Sequence, residues 1–75
     1  MENNTNFQIR GYGRTELALL YAPEDVPKTA YKKMQRWIIR HPHLSEQLAK
    51  AGLSPHSRIY TPLQVRIIVE ALGEP

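Results

Sequence analysis

Apolar positions recur at helical spacing through most of the chain and alternate in only two short stretches. Phe7-Gln8-Ile9-Arg10 alternates apolar with polar and stops at Gly11 and Gly13, which predicts a short strand or extended arm. Thr15 is the expected N-cap of a short helix from Glu16 to Tyr21, closed by Pro23, with Glu16 near the helix's positive end. After the acidic loop Ala22-Pro23-Glu24-Asp25, Pro27 opens a second helix that runs to about His41. Pro42 breaks that pattern and becomes the first residue of a third helix, through about Lys50, which buries Leu44 and Leu48 and takes Gly52 as its C-cap. Leu53 to Ser57 is a turn, and Arg58-Ile59-Tyr60 reads as a short strand able to pair with the Phe7 to Arg10 arm. The last helix is signalled most fully. Thr61 is its N-cap, Pro62 its first residue, Gln64 completes a capping box, and Gly73 ends it. Leu63, Ile67, Ile68, Ala71 and Leu72 give its periodicity, and Val65 and Val69 widen the apolar face.

These elements predict a mainly α domain of four helices with a minor two-stranded β element. Residues 7–75 form the single domain and residues 1–6 a flexible tail. Leu17, Leu20, Ala30, Met34, Trp37, Ile38, Leu44, Leu48, Ile59, Leu63, Ile67 and Ile68 are the expected core. With 75 residues and no cysteine, neither disulfides nor a thiolate zinc site can supplement that core. The hydrophobic fraction of 41% suits an ordered chain. No apolar run reaches transmembrane length and the start lacks the pattern of a secretory signal, so the cytoplasm is the expected compartment and no membrane partner is expected.

Charge changes the picture at the second helix. The net charge is only +3, yet five of the ten Lys and Arg residues lie between Lys28 and Arg40, with no acid among them. At about 100° per residue, Lys28, Lys32, Lys33, Arg36 and Arg40 share an arc of roughly 140° with Thr29. Ala30, Tyr31, Met34, Trp37 and Ile38 take the opposite side. A cationic surface anchored by an apolar back suits a polyanion, nucleic acid first. Ile39 adds apolar area inside the cationic zone, and Thr29 and Gln35 add hydrogen-bonding groups. Trp37 belongs to the core rather than to a stacking platform, Tyr31 could serve either use, and Tyr12, Tyr21 and Tyr60 are expected to pack over helix ends.

Catalysis finds no comparable pattern. Glu24-Asp25 reads as turn chemistry, Gly11-Tyr12-Gly13 is too short for a phosphate loop, and no motif presents a serine nucleophile. His41, His43 and His56 lack the companions of a metal site. The chain is therefore expected to be no enzyme and to hold no metal or cofactor.

Two resemblances add to this. Ile9-Arg10-Gly11-Tyr12-Gly13, Glu16 to Tyr21, Arg36-Trp37-Ile38, Tyr60-Thr61-Pro62 and the closing Leu72-Gly73-Glu74-Pro75 resemble a family of short bacterial proteins known only as a domain of unknown function. That likeness spans nearly everything from Phe7 on and brings no activity with it. Glu16-Leu17-Ala18, the helix opening at Val26-Pro27, and Arg58-Ile59-Tyr60-Thr61-Pro62 with Val65 and Ile68 resemble the winged helix-turn-helix of MerR-like regulators and phage excisionases. The resemblance implies that Lys28, Thr29, Lys32, Lys33 and Arg36 face a DNA major groove and that Arg58 stands on a wing near phosphate; Arg40, by its place on the same helix arc, joins them as an expected nucleic-acid contact. The pattern departs in its longer Ala22 to Pro27 loop, an inserted third helix and the lack of a following coiled coil. The expected function is non-catalytic DNA binding, in regulation or as a mobile-element accessory factor. The alternative is an adaptor docking on an acidic protein partner, or a homodimeric module; monomer and homodimer both stay open.

Overall fold

Thr61, Pro62 and Gln64 dictate where the last helix begins, and the computed structural model, which describes residues 7–75, starts that helix there. Helix α4 (Pro62–Leu72) carries the full capping box: Gln64 N donates to Thr61 Oγ1 at 3.3 Å, and Thr61 N donates to Gln64 Oε1 at 2.9 Å. Gln64 goes further. Its Nε2 donates at 2.9 Å to the carbonyl of Ala51, the C-cap of helix α3 (Pro42–Lys50). That end of α3 closes as a Schellman motif, with Gly52 in the left-handed region at φ +95°, Gly52 N bonded to Ala49 O and Leu53 N to Leu48 O. Gln64→Ala is expected to cost about 2 kcal/mol, because it leaves a partly buried carbonyl and a cap amide unpaired, against about 1 kcal/mol for Thr61→Ala. Urea titrations followed by circular dichroism check the order; equal costs would show that the Ala51 bond contributes nothing.

Six elements run in the order β1 (Tyr12–Gly13), α1 (Arg14–Tyr21), α2 (Pro27–Arg40), α3, β2 (Ile59–Tyr60) and α4. The expected helices are present, as is the two-stranded sheet, which is antiparallel with Tyr12 opposite Tyr60 and Gly13 opposite Ile59. Its first strand lies beyond the expected arm. Phe7 to Arg10 is irregular and serves to cover Tyr12: the Phe7 ring stacks on the Tyr12 ring at 5.4 Å, Arg10 lies 3.8 Å above it, and Tyr12 Oη donates to Gln8 O. The start of α1 also differs from expectation. Gly13, not Thr15, is the N-cap, because the Glu16 carboxylate reaches back to Gly13 N at 3.0 Å and fixes the first turn two residues earlier. That amide first, and then Arg10 at 3.3 Å, hold the Glu16 carboxyl below its ordinary range. The expected tail, residues 1–6, lies outside the described residues.

The buried centre is Tyr12, Leu17, Ala18, Ala22, Ala30, Met34, Ile38, Leu44, Leu48, Tyr60, Val65 and Ile68. Helix α2 contributes Ala30, Met34 and Ile38 on one stripe and packs chiefly on α1. Five expected core residues sit elsewhere. Leu20 is exposed because Arg14, Leu17, Ala18 and Tyr21 form the inward stripe of α1 and Leu20 falls roughly 120° from its centre. Ile59 faces out because Tyr60 faces in, as neighbours on a strand must. Leu63 lies about 160° round α4 from buried Val65 and is likewise exposed. Trp37 and Ile67 pack at the edge of the core, partly buried. Tyr12 and Tyr60 are not helix-end covers; they are the central pair of the sheet and among its best buried residues.

Candidate nucleic-acid interface

With the Ala30–Met34–Ile38 stripe turned inward, the outer face of α2 is fixed. Lys28, Thr29, Lys32, Arg36 and Arg40 are all exposed on it. Lys28, Lys32, Arg36 and Arg40 recur every fourth residue over about 18 Å of helix axis. Among the described residues no carboxylate lies within ion-pair distance of any of them. Lys33 differs. Its Nζ sits 2.8 Å from Asp25 Oδ2, which is buried and has no hydrogen bond of good geometry, so Lys33 is the charge that compensates it. The sequence placed Lys33 with the other four by angle alone; the loop before α2 folds back and claims it. Ile39 stands 71% exposed inside the same face.

Arg58 belongs to the loop that leads into β2, and its side chain is exposed. What positions that loop is Arg14, a residue the sequence reading passed over. The residue is only 9% exposed. Nη1 donates to the carbonyls of Ser54 (3.3 Å) and Ser57 (3.1 Å), and Nη2 to Gln35 Oε1 at 3.0 Å. Gln35 Nε2 in turn donates to the Tyr60 hydroxyl at 3.3 Å, and the Arg58 carbonyl accepts from Arg14 N at 3.2 Å. The Tyr31 and Tyr60 rings lie 5.7 and 5.4 Å from the guanidinium carbon, so Tyr31 is spent on packing against Arg14. One buried cation thereby ties α1, α2 and the 54–58 loop together, and the loop is held against the Gln35 edge of α2. In the sequence Arg14 stands before the expected helix start at Glu16, so its place on the inward stripe of α1 emerges only with the earlier N-cap.

The opposite edge of α2 is aromatic. Trp37 meets Tyr21 edge to face at 6.2 Å, and the Tyr21 hydroxyl donates to the Gly73 carbonyl past the end of α4, which is the helix-end packing expected of it. Burial, then the Glu74 charge, push the Tyr21 hydroxyl up to about 12. His41, His43 and His56 are exposed, and among the described residues no three His, Cys, Asp or Glu side chains converge as a metal would need. No helix among the described residues is long and apolar enough to cross a membrane.

The geometry defines a class: a small four-helix domain with a two-residue strand clip and one cation-bearing helix face. The chain belongs to the family described as Domain of unknown function (DUF4248), whose model matches residues 8–75. No curated protein and no solved structure matches it.

Proposed function

We propose that this protein is a non-catalytic DNA-binding domain of winged helix-turn-helix type, with α2 lying along the duplex and the Arg58 loop flanking it. The carrying observation is the run Lys28, Lys32, Arg36 and Arg40, exposed at four-residue spacing and free of acidic partners among the described residues. A helix that is cationic only for solubility commonly interleaves acids that form i,i+4 pairs; this one has none. The packing of α1 on α2 and the Arg14-held loop that bears Arg58 support this reading, with Thr29 beside the cations for base-edge or phosphate contact and Lys33 in a supporting position. A regulatory or mobile-element role in the cytoplasm goes with this reading.

Anisotropy of a labelled duplex over a salt series tests it. Contact with four or five phosphates gives a log–log slope of about −4. The pair Lys32→Glu and Arg36→Glu should weaken binding by about 100-fold and make the slope shallower, with helical circular dichroism unchanged. Lys33→Glu should act instead on stability, through Asp25. No duplex affinity at physiological salt, with co-purification of an acidic protein, would replace this reading by the adaptor.

A further inference from the structure

Two features of this fold are costly as they stand, and both border the same cleft. The first is Arg14. An arginine that is nine-tenths buried is normally matched by a carboxylate, yet among the described residues none lies within ion-pair distance. Its three hydrogen bonds all go to neutral acceptors, and its buried Nε–H has no acceptor. A guanidinium has five N–H donors, so donor capacity is left over. The second is Ile39, 71% exposed on an otherwise charged and polar helix face. Between α2, α3 and the 53–55 loop lies a cleft of about 270 Å³ to which both contribute. Ile38, Ile39, Leu48, Leu53 and Pro55 make its apolar walls, and Ser45 and Ser54 add hydroxyls.

We infer that this cleft is a binding site for a small organic anion, a carboxylate carried on an apolar body of about six carbons. The carboxylate supplies the counter-charge that Arg14 lacks, and the alkyl part covers Ile39, Leu53 and Pro55. Apolar walls around a few placed polar groups are the usual make-up of a small-molecule site. The inference rests on the buried cation rather than on the exposed cations of α2, and shares only Ile39 with the nucleic-acid reading.

Hexanoate, hexan-1-ol and hexylamine, titrated separately into the ¹⁵N-labelled protein at constant ionic strength, separate the contributions. Hexanoate should give saturable shifts at the amides of Ile39, Ala49 and Leu53 and at the Arg14 Nε–H. Hexan-1-ol should bind about 10-fold more weakly, having the chain without the charge, and hexylamine should not bind. Ala49→Phe fills the cleft from the exposed side of α3 without touching Arg14, and should abolish the hexanoate shifts while leaving the thermal midpoint in place. Equal binding of acid and alcohol, hexanoate shifts confined to Lys28, Lys32 and Arg36, undiminished binding by Ala49→Phe, or no shift at all would each overturn the assignment.

Discussion

Arg14→Ala is expected to cost about 3–5 kcal/mol, because it leaves several partly buried neutral acceptors without a donor, each at about 1–3 kcal/mol. The substitution strands Gln35 Oε1 and the Ser54 and Ser57 carbonyls together, and takes away the group packed between the Tyr31 and Tyr60 rings. At about 0.05–0.15 kcal/mol per residue, a domain of this size has roughly 4–11 kcal/mol in total, so the variant should be largely unfolded at modest urea concentrations. Arg14→Lys should recover only part of the loss, because a single ammonium is a point charge and cannot span acceptors arranged for a planar fork. Equilibrium urea unfolding followed by circular dichroism gives both numbers. A cost below about 1 kcal/mol for Arg14→Ala would show that the 54–58 loop is held in place by its own turn.

Leu17→Ala should cost about 3–4 kcal/mol and Leu20→Ala less than 1 kcal/mol, although both leucines lie on one eight-residue helix. Leu17 is fully buried where α1 meets α2, and truncating it leaves a cavity that Ala18 and Ala30, already small, cannot fill. Leu20 is 43% exposed and loses mainly partial burial. The same urea titration reads both. Similar costs for the two would mean that α1 is rotated from the orientation described.

That contrast marks where the chain could be read from its letters alone. Elements whose ends are set by neighbouring residues were legible: Thr61, Pro62, Gln64 and Gly73 bound α4, and Pro27 and Pro42 open α2 and α3, because capping acts within one turn. The inward stripe of α2 was legible for a similar reason, since Ala30, Met34 and Ile38 keep strict spacing. The illegible parts are those settled by residues far along the chain. Tyr12 and Tyr60 were expected over helix ends, whereas the strands pair them in the core, and Arg14 gave no sign of its role because its acceptors are 21 to 43 positions away. On the outer face of α2, four of its five cations stand where their periodicity put them. Lys33 shares their arc, yet Asp25 lies on the preceding loop, whose path no helical wheel describes.

Gln64 carries a last consequence. Its side chain caps the first turn of α4 and at the same time completes the final turn of α3. Neither end can fray without releasing the other, so cooperativity between these two helices is vested in a single amide group as well as in their shared apolar contact.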